Sequence, residues 1–144
     1  NRHGLIAAIE DQSSGIRWHN GSNVTTGATG IAVYTGSANT TTIINVQGAT
    51  ETDYAAGLAR AYTGGGYDDW FLPSKDELNQ MYLNKATINT TASANGGSDF
   101  ADAYYWSSTE IDLNFAWLHN FYNGLPVKYA KYFPVFSVRA VRAF

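Results

Sequence analysis

The chain has 144 residues, 44 % apolar and 15 % charged, with a net charge of −3 and no Cys. That length fits one domain, and the lack of Cys removes disulfides, thiol nucleophiles and thiolate metal sites together. Nucleic-acid binding needs clustered Lys and Arg and membrane insertion needs about 20 consecutive apolar residues; the sequence has neither.

Residues 5–9, Leu-Ile-Ala-Ala-Ile, form a short apolar run of strand length. Gln12-Ser13-Ser14-Gly15 punctuates it, and Ile16-Arg17-Trp18 reads as its hairpin partner. Residues 19–49 are rich in Gly, Asn and Thr and read as irregular coil, with brief strands at 30–34 and 43–46. Thr50 and Asp53 resemble a capping box, and Tyr54, Ala55, Leu58, Ala61 and Tyr62 recur at helical spacing, which predicts a helix over 51–62 ended by Gly64-Gly65-Gly66. Ser74-Lys75-Asp76-Glu77 is a complete capping box after Pro73, and Leu78, Met81 and Tyr82 give the apolar stripe of a second helix over 75–84. Residues 86–103 read as a polar loop with a turn at Asn95-Gly96-Gly97. Tyr104-Tyr105-Trp106 opens a strand-rich end, with further strands at 115–121 and 136–142 joined through a turn at Asn123-Gly124. The expected class is α+β, with the N-terminal strand beside the C-terminal one.

Composition changes at residue 111. Residues 111–137 hold eight aromatics (Phe115, Trp117, Phe121, Tyr122, Tyr129, Tyr132, Phe133 and Phe136) against twelve in the first 110 positions. The tract has no Thr and a single Gly. That is more aromatic surface than a small core hides, so part of it is expected on display, where aromatic clusters bind partners. The plainer alternative is that Tyr129, Tyr132, Phe133 and Phe136 are core.

Catalysis is not expected. His3, His19 and His119 are scattered, without metal-ligand spacing, and Ser107-Ser108 lacks a nucleophile-elbow context. His19, following Trp18, reads as an exposed loop residue. Asp68-Asp69 could contribute to a calcium site, although no EF-hand loop is present. Lys128 and Lys131 read as solvated framework. Arg139 and Arg142 alternate with Val and Ala, and are expected to pair with carboxylates such as Asp68, Asp69 or Glu110. Sequons at Asn20, Asn23, Asn39 and Asn89 read as by-products of an Asn- and Thr-rich composition. The chain starts at Asn1, which reads as a fragment or a processed product, the C-terminal part of a longer protein.

Four segments in order carry a resemblance: residues 66–78 (Gly-Tyr-Asp-Asp-Trp-Phe-Leu-Pro-Ser-Lys-Asp-Glu-Leu), residues 105–110 (Tyr-Trp-Ser-Ser-Thr-Glu), Ala116-Trp117 with Asn120-Phe121 and Asn123-Gly124, and residues 138–142 (Val-Arg-Ala-Val-Arg). Together with Gly4-Leu5-Ile6-Ala7-Ala8 and Asp11-Gln12, they resemble the C-terminal domain family of Legionella collagen-like adhesins over nearly the whole chain. The resemblance implies a C-type-lectin-like fold, with two helices flanking small antiparallel sheets. The chain also looks like the members of that family diversified by retroelements. In those, adenine-directed copying errors turn Asn codons into any type except Glu, Gln, Lys, Met and Trp.

The resemblance divides the single domain 1–144 into framework, 1–110 and 138–144, and a variable region, 111–137. The implied ligand-binding positions are Ile111, Asp112, Leu113, Asn114, Phe115, Leu118, His119, Tyr122, Leu125, Val127, Tyr129, Tyr132, Phe133, Val135 and Phe136. Trp70, Trp106, Trp117, Phe121, Arg139 and Arg142 belong to the framework, with Val138 and Val141 packing beneath. Lys128 departs from the permitted types. Side chains free to vary must avoid a core that feels a single methylene, so they are expected on one exposed face. The implied role is binding of a host-cell or bacterial surface protein or glycan, at the tip of a phage tail fibre or a bacterial surface or secreted protein. A non-diversified adhesin for sulfated polysaccharide, or a structural module of a trimeric fibre, are the alternatives.

Overall fold

The structure is a computed structural model and describes residues 4–144; His3 lies outside the described residues. Strand β1 (Leu5–Ala7) pairs antiparallel with β7 (Val141–Ala143), Leu5 opposite Ala143, so the two ends of the domain adjoin as expected. The other sheet has five strands in the order β2-β6-β3-β4-β5. They are β2 (Ser13–Ile16), β3 (Tyr104–Glu110), β4 (Phe115–Asn120), β5 (Pro126–Ala130) and β6 (Phe136–Val138). β3 runs parallel to β6, through Tyr105 and Ser137, so this sheet is mixed. The class is α+β.

Several strand expectations change. Residues 30–34, expected as a strand, form a bend and a turn. β2 does not fold back on β1; it pairs with β6. Residues 136–142 are two strands in two sheets, because Arg139 and Ala140 leave the ladder. The Arg139 side chain is buried, and its guanidinium donates to Asp11 and to the Ser98 and Asp99 carbonyls. The Ala140 N–H donates to Gln12 Oε1 at 2.6 Å, and its carbonyl accepts from Ala8. The Asn123-Gly124 turn joins β4 to an unforeseen strand, β5, instead of to 136–142.

The described residues form four α-helices, not two. Residues 36–47, read as coil and strand, are helix α1 (Gly36–Gln47). It has no apolar stripe to read, because its inward face is polar: Asn39, Thr40 and Gln47 are buried beside Ile43. Their groups are satisfied, which makes that burial tolerable. The Asn39 amide bonds both backbone groups of Gly30 and the Ser108 hydroxyl, and the Thr40 hydroxyl receives the Leu72 N–H. The helix expected at 51–62 is a 3-10 turn (Glu51–Asp53) followed by α2 (Ala55–Ala61), and Thr50 makes no side-chain cap. The polar run after α3 is helix α4 (Lys85–Ala94), ended at Asn95 with Gly96 at φ +82 as the turn signal implied.

Helix α3 (Lys75–Leu83) starts where its capping box places it. Glu77 accepts from the Ser74 N–H at 2.7 Å, and Ser74 Oγ accepts from the Glu77 N–H at 3.3 Å. The box reaches further. Glu77 also accepts the Tyr34 N–H, and Ser74 Oγ donates to the Ala32 carbonyl, so the loop before α1 is fastened to α3. Burial pushes the Glu77 carboxyl up, against these hydrogen bonds. Two hydrophobic clusters fill the body. One gathers Trp18, Ile43, Tyr54, Trp70, Leu72, Trp106 and Leu118; the other gathers Phe71, Leu78, Met81, Tyr105, Phe121 and Val141. Ser74→Ala is expected to cost about 1 kcal/mol. Glu77→Ala is expected to cost more, about 2–3 kcal/mol, since it orphans several N–H groups at once. Urea unfolding midpoints check both.

Candidate functional site

The tract 111–137 rests on a buried ion pair. Lys131 Nζ lies 2.7 Å from Glu110 Oε2, with both side chains sealed from solvent. Glu110 also accepts the Thr26 N–H at 2.8 Å, the Thr26 hydroxyl at 3.0 Å and the Gly27 N–H at 3.0 Å. The Lys131 ammonium sits 4.6 Å from the centre of the Trp18 ring, and the Trp18 indole donates to the Ser107 carbonyl at 2.8 Å. Burial raises the Glu110 carboxyl, but the Lys131 ammonium and the two N–H groups outweigh it, and the net is a pKa below the ordinary value. Lys131 is therefore not the solvated framework residue its type suggested. Its charge is needed inside, where Glu110 would otherwise be alone.

The tract residues do not share one face. β4 lies between β3 and β5, and successive side chains on a strand point to opposite sides. Leu118, opposite both Trp106 and Val127, is buried at 1 % exposure. His119 points the other way and is buried against the rings of Tyr82 and Phe121, 5.5 and 5.6 Å between centres. Phe136, on β6, is buried edge-on to Trp106 at 5.3 Å. These three were expected on the surface and are core. Ile111, Phe115, Val127 and Phe133 are half-buried. Asp112, Leu113, Asn114, Tyr122, Leu125, Tyr129, Tyr132 and Val135 are exposed.

The exposed positions divide between the two ends of β4. Tyr122 and Leu125 lie in the β4–β5 turn, whose shape comes from framework side chains: Asn120 Oδ1 accepts the Tyr122 N–H and Asn123 Oδ1 accepts the Leu125 N–H. The loops 111–114 and 131–135 meet at the other end, where the Lys131 N–H donates to the Asn114 carbonyl. Asp112 holds the first of these with bonds to the Asn114 and Phe115 N–H groups. Loop 131–135 then crosses to β6 over Gly15, where an added Cβ would stand 2.8 Å from the Pro134 carbonyl.

An aromatic run occupies this crossing. Tyr132 stacks on Phe133 with 4.5 Å between ring centres. Phe133 meets Tyr129 edge-on at 5.1 Å, and Tyr129 meets Phe136 at 4.9 Å. Phe136 joins the run to buried Trp106 and, at 5.7 Å, to exposed Tyr104. Tyr132 is 55 % exposed and Val135 62 %. The run thus goes from core to surface, its outer rings held by contact with fixed inner ones. Sequence reasoning left Tyr104 out, because it belongs to the framework strand β3. The signal was its alternation with Tyr105, which faces the second cluster.

Elsewhere the framework residues take their places. Trp70, Trp106, Phe121 and Arg139 are buried; Trp117 is only half-buried, with the Lys75 ammonium 4.0 Å from its ring centre. Arg142 pairs with Asp69 through two bonds, 2.7 and 3.0 Å, as its strand pattern suggested. Arg139 instead takes Asp11 at 2.8 Å and lies over the Phe100 ring. His19 is buried, not exposed, and its N–H acceptor atom Nδ1 receives the Gly21 N–H. Both Asp69 oxygens are occupied by Arg142. Among the described residues no group of three or more His, Asp or Glu converges as metal ligands would.

The family model for the Lcl C-terminal domain matches residues 7–142 of the chain. No curated protein matches it.

Two outcomes follow from the buried charges and rings. Lys131→Met strands Glu110 and is expected to cost about 3–5 kcal/mol, part of it recovered when Glu110→Gln is added. Because the Glu110 pKa is depressed in the fold, its contribution is complete above the ordinary carboxylate range and drains as pH falls below it. Acid titration of stability in the native protein, set against the double variant, reads this out. His119 has the opposite charge type with the same direction. Burial lowers its pKa from 6.5, Gly124 backbone opposing and Lys75 reinforcing. The unfolded chain then binds the proton first, so stability falls as pH drops below about 6.5. His119→Phe is expected to reduce the slope between pH 7 and 5 in urea melts, leaving the part due to His19, whose pKa burial also lowers.

Proposed function

The chain belongs to the Lcl C-terminal domain family, and from that premise we propose that it is a surface adhesin-like, ligand-binding domain whose contact area is the aromatic run of Tyr104, Tyr129, Tyr132 and Phe133. The family match supports the adhesin assignment. The observation that carries the site is the stack of Tyr132 on Phe133, exposed to solvent yet continuous with buried Phe136 and Trp106. Large rings already held by their neighbours lose little rotamer freedom on binding, so their buried area goes into affinity. Val135 and the loop at Asp112, Leu113 and Asn114 extend the area, with polar groups at its rim. The domain is a binder and not a catalyst, on a body we take to be C-type-lectin-like.

The charge distribution favours this reading over a polysulfate receptor, which needs clustered free cations. Lys131, Arg139 and Arg142 are each committed to a carboxylate. Lys128 lies over the Phe115 ring, 4.3 Å from its centre. The parent protein we place on a bacterial surface or a phage tail fibre.

We further propose that the tract is diversified by a retroelement, within limits set by burial. Free variation belongs at Leu113, Asn114, Tyr122, Leu125, Tyr129, Tyr132 and Val135. Leu118, His119 and Phe136 vary only among residues of similar volume, since cavities and overpacking both destabilise.

Tyr129→Ala and Tyr132→Ala, singly, are expected to reduce binding to a ligand found on protein and glycan arrays by roughly 10-fold or more each, with both variants folded: Tyr132→Ala leaves the melting temperature unchanged, and Tyr129→Ala, which also gives up packing on Phe136, lowers it. Unchanged binding by both folded variants removes the aromatic run from the site. Loss of trimerisation with unchanged ligand binding would instead favour the fibre module. Copies of the gene that vary evenly along 1–144, or not at all within 111–137, would sink diversification.

A further inference from the structure

Strand β5 is the open edge of the five-stranded sheet. Its pairing with β4 fixes which backbone groups face outward. Asn120 N–H donates to the Leu125 carbonyl and Lys131 N–H donates to the Asn114 carbonyl, both at 2.9 Å. The register places Leu118 opposite Val127 and Ala116 opposite Tyr129 between them. Antiparallel ladders alternate bonded and non-bonded pairs, so residues 125, 127, 129 and 131 turn their backbone to β4. Pro126, Lys128 and Ala130 turn theirs away from it. Phe133 N–H takes the Ala130 carbonyl at 3.5 Å. The Lys128 N–H and carbonyl, the Ala130 N–H and the Pro126 carbonyl have no other partner among the described residues. Lys128 and Pro126 are exposed.

Resting on the binding function above, we propose that the ligand is an extended polypeptide segment of a protein, which joins the sheet along β5 as an added strand. Two donors and two acceptors at strand period are the complement of another strand. Pro126 has no N–H, so the bonding is centred on Lys128, which exchanges both its groups with one ligand residue. That residue projects to the same face as Lys128 and is acidic, opposite its ammonium. Its neighbours project to the other face, beside Val127 and Tyr129, and so extend the contact onto the aromatic run. A second copy of the chain is the poorer occupant, because two-fold pairing about Lys128 sets like charges opposite each other. The backbone supplies a grip that does not depend on the side chains of the tract, so an exchange of Tyr129 or Tyr132 would change specificity while the mode of attachment stays.

The test selects a random linear peptide library on the intact domain and measures one binder. The peptide is N-methylated at each backbone nitrogen in turn. In the domain, Lys128→Pro deletes an outward N–H, and Lys128→Ala controls for the side chain. N-methylation is expected to weaken binding roughly 10-fold or more at alternate positions and little between them, as lost hydrogen bonds require. Lys128→Pro is expected to weaken binding similarly at unchanged melting temperature; if it lowers that temperature, the N-methyl scan alone decides. Recovery of no peptide, or N-methyl effects without alternation, overturns the proposal. So does self-association of the domain that Lys128→Pro abolishes. Binding lost in Tyr129→Ala and Tyr132→Ala but without alternation leaves the aromatic site standing and removes the strand.

Discussion

A lysine ammonium and a glutamate carboxylate sealed together inside the domain hold the variable-looking tract to its body. Glu110 ends β3, Lys131 follows β5, and Thr26 and Gly27 come from a distant loop. Neither charge can be left alone there, so the positions of three chain segments are set by one contact. Trp18 roofs the pair and hangs from the same strand through Ser107. Loop 131–135 starts from Lys131, and everything it displays inherits that fixed origin.

The body beneath is tied by similar devices. Arg139 binds Asp11 to the 98–99 turn, Asn39 binds Gly30 to Ser108, and Glu77 binds the 32–35 loop to α3. Each is a buried polar group with its bonds made, and each links segments far apart in sequence. Much irregular backbone is thereby given one conformation without disulfides. A rigid support of this kind fixes the surface that the tract exposes.

That surface is smaller than the tract. β4 is covered on both sides, so alternate side chains of the tract fall into opposite halves of the core. Leu118 and His119 are adjacent in sequence and are buried in different directions. The display is left to the loops, to Tyr129 and to the outer rings of the aromatic run. The exposed rings and the core packing therefore share the same strands, and Phe136 serves as the joint between them.

Local rules were legible where the signal is local. The capping box fixed the start of α3, the Asn123-Gly124 and Asn95-Gly96 turns fell where glycine permits them, and the paired terminal strands followed from their apolar runs. The four ordered motifs were enough for the family. The sequence could not show α1 or α4, whose Asn- and Thr-rich faces carry no apolar period; α1 is stabilised by hydrogen bonds to other segments. Nor could it tell that Lys131, His19, His119 and Leu118 lie inside. Burial of a charge or a ring depends on what the rest of the chain brings to it, and Glu110, Trp18, Tyr82 and Trp106 arrive from strands, helices and loops that only the tertiary structure assembles.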